Sequence, residues 1–493
     1  MDLDLDACYR AFRARDRRFD GRLFSGVRTT GIYCRPICPA RTPRRENMVF
    51  FRTAAAAQEA GFRPCLRCRP ETAPDLAAWR GTTNTVSRAL SLIETGALDE
   101  SRVGSLAARL GVGERQLRRL FQEHLGASPV SVAQTRRVLL ALQLLRETQL
   151  PIADVALAAG FTSIRRFNEV FQRLFDRPPG ALRRTGGIMS PASGSEVNIL
   201  LRYRPPYDWR GVLGFLQARA IGGIEAVLPD AYARTIEIDG VHGVVIVGPA
   251  PGDALKATLR FPRLSLLPAI IARLRRVFDL ASDPQVIGTE LAEDPLLEPL
   301  VRERPGLRVP GAWDGFELAV RAVLGQQITV KAAAALAAKL VAGYGEPLSL
   351  QGAGVDGLTH LFPRPERLAS ADLSPLGIPA SRVRTLKMLA AAVESDPEIL
   401  GARRDPAECL KQLRTIPGIG EWTAQYIAMR ELREPDAFPA DDVALRRAMG
   451  RDGRRPTPRE LIARAERWRP WRAYAAQHLW ASAAVRNGRA ASA

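Results

Sequence analysis

Four cysteines in two close pairs, Cys34-x3-Cys38 and Cys65-x2-Cys68, constrain this chain more than any other feature. Two short loops that each supply two thiols form the pattern of a tetrahedral, all-thiolate zinc site. The segments that carry them, FSGVRTTGIYCRPICPAR and GFRPCLRCRPE, are dense in arginine. A zinc knuckle needs no arginine to fold, whereas a phosphate backbone attracts it. Arg28, Arg35, Arg41, Arg44, Arg45 and Arg67 are the candidate phosphate contacts. The plainer alternative is a structural knuckle whose arginines are solvated charges.

Charge points the same way. The formal net charge is +19, and residues 1–190, with 31 arginines, no lysine and 18 acidic residues, carry +13 of it. A polyanion, by default nucleic acid, is the expected partner. With 493 residues and 46% hydrophobic content, the chain can form about three to five domains, each with its own core. Six cysteines are too few for a disulfide framework. MDLDLDACYRAFRARD has no apolar stretch of the kind a signal peptide needs. No run of about 18 uncharged apolar residues offers a membrane span. A reducing bacterial cytoplasm, at the nucleoid, is the expected location, and there thiols stay available for metal.

The fold class expected is multidomain α+β. A small four-cysteine domain covers 1–77, with a strand at MVFFRT and a helix at AAAAQEAGF ended by Gly61. Residues 78–186 read as all-helical. SLAARLGVGERQLRRLFQEHLG and PIADVALAAGFTSIRRFNEVFQRLFDRPP each run apolar helix, glycine turn, arginine-rich helix, which is a duplicated helix-turn-helix. RRVLLALQLLRET joins them as a long helix. Leu106, Leu110, Leu117, Leu120, Phe121, Phe161, Phe167, Phe171 and Phe175 fall at helical spacing and read as core. The Gly/Ser/Pro-rich stretch 187–197 reads as a linker. TIEID, HGVVIVG and ALKATLRF carry strand patterns within 198–275, a small antiparallel α+β domain with helices at VLGFLQARA and LLPAIIARLRRVFDL. Residues 276–487 read as all-α, and the terminal RNGRAASA as disordered.

KQLRTIPGIGEWTAQYIAMR reads as a helix-hairpin-helix, in which Pro417, Gly418, Ile419 and Gly420 form a tight hairpin whose backbone N–H groups can approach phosphate. FPADDVALRRAMG follows, with Asp442 directly before a helix. As a plain N-cap such an aspartate would be unremarkable in sequence terms, and capping does not exclude chemistry.

Four resemblances sit on these residues. RTTGIYCRPICPAR and GFRPCLRCRP resemble the Ada N-terminal domain. That resemblance implies one zinc ion on Cys34, Cys38, Cys65 and Cys68, with Cys34 accepting a methyl group from a methylphosphotriester in DNA. AGFTSIRRFNEVFQRLFDRPPGALR is similar to the second repeat of AraC-type regulators, the first repeat being looser. It implies base reading by Arg115, Gln116 and Arg119 in one helix and by Ser163, Arg165, Arg166 and Asn168 in the other, with promoter DNA and RNA polymerase as partners. The hairpin and its aspartate resemble the helix-hairpin-helix glycosylases. RPPYDWRGVLGFLQARAIGGIE, RPGLRVPGAWDGFELAVRAVLGQQITVKAAA and RAERWRPWRAYAAQHLW extend that likeness to the 3-methyladenine glycosylase II (AlkA) family through residues 198–487.

The glycosylase resemblance implies Asp442 as the catalytic carboxylate, Trp422, Tyr426 and Trp480 as an aromatic base pocket, and flipping of an alkylated purine out of duplex DNA. It also implies a monovalent cation on the hairpin carbonyls. The family's wedge leucine is replaced by Gln327, with Ile328 next to it as the other candidate wedge. Trp422 stands where lyase-competent relatives carry a lysine, so a monofunctional enzyme is expected. Cys409 alone lies in that domain, so no iron–sulfur cluster is expected. No Pro-Cys-His-Arg motif occurs, so the methylguanine transferase domain usual beside an Ada domain is not expected. The expected protein is a monomeric repair enzyme that also regulates transcription. Two alternatives stay open: an enzyme merely tethered to DNA by its basic half, and a regulator with an inactive glycosylase domain.

Overall fold

The computed structural model describes residues 4–74, 84–183, 196–349, 355–401, 405–450 and 454–491. The chain divides into two compact units, Met1–Arg202 with Phe261–Ala272, and Tyr203–Arg260 with Arg273–Ala493. Of the expected linker, 187–195 lie outside the described residues, and Glu196 and Val197 already begin a strand.

The first unit opens with α1 (Leu5–Arg13), β1 (Phe24–Val27), β2 (Ile32–Cys34), β3 (Met48–Phe51), α2 (Ala54–Glu59) and β4 (Arg63–Pro64). The sheet order is β3-β1-β2-β4, with β2 and β4 parallel and Tyr33 opposite Pro64. This one pairing brings the two cysteine segments together, because both loops leave the same end of adjacent parallel strands. The expected strand at MVFFRT is β3. The expected helix is α2, capped by Thr53 and followed by Gly61 at φ +91°.

Six helices follow: α3 (Asn84–Glu94), α4 (Val103–Arg109), α5 (Glu114–Leu125), α6 (Pro129–Glu147), α7 (Ile152–Ala158) and α8 (Ile164–Phe175). The duplication is visible in length: α4 and α7 both have 7 residues, α5 and α8 both 12. α5 buries Leu117, Leu120, Phe121 and Leu125, and α8 buries Phe167, Phe171 and Phe175. Phe161, Phe167, Phe171 and Phe175 stack in series with centroids 5.0, 4.6 and 5.4 Å apart, so the arginine face of α8 is left to solvent.

This unit also contains β5 (Glu196–Arg202). Leu200 N donates to Glu147 at 3.0 Å, and Gln143 donates to Leu200 O at 2.7 Å, so β5 is held on the end of α6. The four-cysteine module meets the same helix end. Arg146 donates to Glu71 at 2.7 Å, and Arg69, next to Cys68, approaches Glu147 at 3.5 Å.

In the second unit, α9 (Trp209–Arg219) precedes β6 (Glu225–Leu228), β7 (Ala231–Ile238), β8 (Val241–Ala250) and β9 (Ala254–Arg260). These strands lie in the order β9-β8-β7-β6 with antiparallel neighbours. Asp239 and Gly240, at φ +50° and +72°, make the two-residue turn between β7 and β8, where both central positions must be left-handed. Helix α10 (Leu267–Val277) begins in the first unit and ends in the second, and α11 (Pro284–Leu291), α12 (Glu298–Glu303), α13 (Gly315–Leu324), α14 (Val330–Tyr344), α15 (Pro365–Ser370), α16 (Ala380–Ser395), α17 (Pro406–Leu413), α18 (Glu421–Arg430), α19 (Val443–Ala448), α20 (Pro458–Ala465) and α21 (Arg472–Ala491) complete the second unit. The α21 backbone corrects the expected terminal disorder as far as Ala491. Alanine and arginine extend an existing helix without a new nucleation step, and Gly488 does not stop it.

One buried core collects side chains from α13, α14, α16 and the hairpin, including Ile416 and Ile419. The sheet is joined to α13 by charge. Arg321 bonds Glu225 at 2.5 Å and Glu317 at 2.6 Å, and Arg234 bonds Glu317 at 2.7 Å. Burial opposes ionisation of Glu317, but Arg234 and Arg321 outweigh it and hold its carboxyl at about 2. Its stabilising contribution is therefore complete above the ordinary value of 4.5 and is lost as pH falls toward about 2. Acid titration followed by tryptophan fluorescence should show this unit loosening within that window. Glu317→Gln strips a counter-charge from the guanidiniums of Arg234 and Arg321 and should cost about 3–5 kcal/mol in the urea unfolding of this unit.

Candidate functional sites: a four-thiol knot and an aspartate under two indoles

Cys34 ends β2, Cys38 follows one turn later, and Cys65 and Cys68 follow β4. The four sulfurs lie within 4.8 Å of one another. Tetrahedral zinc with bonds of about 2.3 Å places its sulfurs about 3.8 Å apart, so this donor set fits the ion. Hydrogen bonding from Cys38 and its fellow thiols, with burial, pushes the Cys34 thiol up. Four thiolates so close need a cation among them. Cys38, Cys65 and Cys68 are buried, while Cys34 is partly accessible.

Arg35 differs from its expected role. It is 5% exposed and turned inward, donating to Asp20 at 2.7 Å, to Cys68 O at 3.0 Å, to Arg69 O at 3.1 Å and to Thr72 at 2.6 Å. A guanidinium with these partners braces the loop beside Cys34 and is not available to phosphate. Arg28, Arg41, Arg44 and Arg67 remain exposed, and Arg45 is half-buried over Phe50.

On the helix-turn-helix pair, Arg115, Gln116, Arg119, Ser163, Arg165, Arg166 and Asn168 are all exposed on α5 and α8 or at their starts. Ser163 caps α8 by accepting from Arg166 N at 3.1 Å, so its side chain already has a structural task. Arg165 bonds Glu169 at 2.9 Å, and Arg119 bonds Gln116 at 3.2 Å.

In the second unit, Asp442 is the N-cap of α19, and Asp441 beside it is exposed. Asp442 Oδ1 accepts from Leu445 N and from Trp480 Nε1, each at 2.9 Å; Oδ2 accepts from Trp422 Nε1 at 2.9 Å. Trp422 stacks on Tyr426 at 5.4 Å and 12°, and Trp480 meets Tyr426 edge-on at 6.4 Å. Two of the three expected pocket aromatics therefore donate to the expected carboxylate, Tyr426 packs against both of them, and all three are half-buried.

Sequence reasoning missed the cations behind them. Arg430 is buried, with its guanidinium 5.0 Å from Tyr426, 5.7 Å from Trp480 and 4.2 Å from Phe215. It is held by Pro310 O at 2.7 Å and Gln477 at 3.0 Å. Arg219 lies 3.9 Å over Phe215. Burial works to raise the Tyr426 phenol, yet Arg430 and Arg219 outweigh it and lower its pKa. Arg430 and Arg219 lie in the quoted motifs YIAMR and GFLQARA, but nothing in spacing marks them as neighbours of the pocket.

The hairpin glycines prove to have different reasons. Gly418 has φ +92°, and a Cβ there would meet Thr385 Oγ1 at 2.0 Å. Gly420 has nothing within 4 Å of such a Cβ. Ile419 is 4% exposed, and its side chain belongs to the core. Gln327, at φ +60°, and Ile328, 37% exposed, stand out on the loop between α13 and α14.

The matching family models are the metal-binding domain of Ada at 7–71, a helix-turn-helix domain at 106–185, the AlkA N-terminal domain at 198–314 and the HhH-GPD superfamily of base excision DNA repair proteins at 320–473. Together they define a modular helix-hairpin-helix repair protein with a metal-binding and a helix-turn-helix module. A probable bifunctional transcriptional activator/DNA repair enzyme AlkA from Mycobacterium tuberculosis is 44% identical over 97% of both chains. The chain belongs to this AlkA family of bifunctional activator and repair proteins. DNA-3-methyladenine glycosylase 2 of Escherichia coli is 38% identical over 57% of this chain and 95% of its own. The solved 3-methyladenine DNA-glycosylase of Archaeoglobus fulgidus, 21% identical with a TM-score of 0.51 over 58% of this chain and 97% of that one, shares the fold.

The two glycines can be separated by substitution. Gly418→Ala forces a left-handed alanine against Thr385 and should destabilise the second unit by about 2–4 kcal/mol. Gly420→Ala should leave the urea midpoint unchanged and weaken duplex binding, read by fluorescence anisotropy.

Proposed function

We propose that this protein excises alkylated purines such as 3-methyladenine from double-stranded DNA by hydrolysis of the N-glycosidic bond, and that its first half accepts a methyl group and activates transcription. The observation that carries the first part is the convergence of Trp422, Trp480 and Leu445 N on Asp442, beside the Trp422–Tyr426 stack.

A flipped cationic base would stack on the electron-rich rings, as cation–π attraction favours. Such a base leaves readily, so the site needs no strong acid. Asp442 is fixed in position by its three donors and faces the positive charge that grows on the sugar as the base departs. Water then completes the hydrolysis and leaves an abasic site. With Trp422 at the position of the lyase lysine, no amine is placed for a Schiff base. Gln327 or Ile328 fills the gap that the flipped nucleotide leaves, Gly418 and Gly420 carry the backbone that meets phosphate, and a monovalent cation on the hairpin carbonyls belongs to this reading.

In the first half, Cys34, Cys38, Cys65 and Cys68 would hold zinc, which keeps their sulfurs as thiolates. Cys34, the least buried of the four residues, attacks the methyl carbon of a methylphosphotriester. A sulfur–carbon bond forms, the carbon–oxygen bond breaks, and the phosphate leaves as the ordinary diester anion. The cluster thereby loses one negative charge, which lowers its repulsion of DNA phosphates and strengthens promoter binding through α5 and α8. RNA polymerase is then the partner of the DNA-bound form, and the working unit is a monomer.

Two measurements test these parts. Base release from methylated duplex DNA should fall about 100- to 1000-fold in Asp442→Asn with duplex binding retained; undiminished release would remove Asp442 from the chemistry. Intact-mass spectrometry after incubation with methylphosphotriester DNA should show one added methyl in the wild type and none in Cys34→Ser. Methylation of the Cys34→Ser protein would place the acceptor elsewhere.

A further inference from the structure

We infer that Gln326 is a positioning residue for base flipping, a latch that sets the wedge loop against the hairpin and the pocket helix before DNA arrives. The inference rests on the reading of Gln327 and Ile328 as the wedge.

Gln326 precedes the exposed residue held at φ +60°. Its amide nitrogen donates to Gly418 O at 2.8 Å and to Thr423 Oγ1 at 3.0 Å. One side chain thus ties the loop to the hairpin and to the residue that follows Trp422. Its backbone carbonyl accepts from Arg382 at 2.7 Å. One turn along the same helix, Thr385 donates to Pro417 O at 2.8 Å. α16 therefore grips both partners of the latch, and Gln326 closes the frame between them.

Geometry gives the frame its purpose. A wedge works only if it enters the stack while the hairpin holds the backbone and the pocket receives the base. These three events involve Gln327 on one loop and, some 90 residues later in sequence, Gly418 on the hairpin and Trp422 on α18, and no single helix carries all three. A left-handed non-glycine residue persists only where its neighbours over-determine it. Gln326 supplies that restraint from one side, so the wedge is held in its working position at no further cost on binding. Glutamine suits the task because one NH2 group offers two donors. Glutamate has the same size but sets a carboxylate against the Gly418 carbonyl.

The test uses the full chain and a duplex carrying an abasic analogue flanked by 2-aminopurine, whose fluorescence rises when a wedge unstacks it. Gln326→Glu should lower the fluorescence rise and the single-turnover release of methylated purine by about 10- to 100-fold, with undamaged-duplex affinity within about threefold of wild type. Thr423→Val removes one of the two bonds and should give a smaller loss of the same kind, which keeps the test open if Gln326→Glu folds poorly. Wild-type flipping in both variants, while a Gln327→Ala, Ile328→Ala double variant loses it, would overturn the latch and leave the wedge. Unchanged flipping in that double variant would overturn the wedge and the latch together. Parallel losses of stability, undamaged-duplex affinity and flipping would reduce Gln326 to a structural residue.

Discussion

The quartet of buried Glu225, Glu317 and Arg234 with half-buried Arg321 is the interaction on which the second unit turns. Two guanidiniums and two carboxylates leave no net charge, yet none of the four can lose its neighbours without stranding an ion in a dry interior. Apolar side chains of similar volume could stabilise this junction as well. They would not fix its rotation and register, which directional hydrogen bonds do. The quartet sets α13 against the sheet, and the loop with Gln326 and Gln327 leaves the end of α13. Placement of a solvent-facing loop is thereby traced back to charges in the core.

The same economy governs the aspartate. Asp442 begins α19 as its cap, and a cap must aim a carboxylate oxygen at the backbone N–H of the third residue. Its other lone pairs then point away from the helix, where the two indoles meet them. A requirement of helix termination leaves the carboxylate aimed into an aromatic site. Buried Arg430 lies over Tyr426, and half-buried Arg219 lies over the neighbouring Phe215, so the aromatic cluster has cations against it.

Local chemistry was readable and distant chemistry was not. The cysteine pairs, the two glycine turns with their arginine helices, and Asp442 before VALRRAM are signals spanning a few residues, and the structure arranges each as a local unit. TIEID and HGVVIVG carried strand patterns, and the structure pairs them across the turn at Asp239 and Gly240. By contrast, Arg35 looked like any other arginine near the thiols, and only its contacts with Asp20, Cys68 and Thr72 turn it inward. Gly418 looked like a phosphate glycine, whereas Thr385, far upstream, imposes it. Arg430 reaches Pro310 across 120 residues, a separation at which no periodicity carries information.

The inward turn of Arg35 also sharpens the proposed electrostatics of the thiol knot. An arginine directly after the acceptor would, if exposed, bind phosphate whether or not Cys34 carried a methyl group. Spent instead on Asp20 and the carbonyls after Cys68, it adds nothing to that surface. Arg28, Arg41, Arg44 and Arg67 remain exposed in this module. Removal of one negative charge counts for more where one arginine fewer faces the phosphate. In the proposed reading, bracing Arg35 inside would leave the methylation state of Cys34 with more weight in what DNA meets.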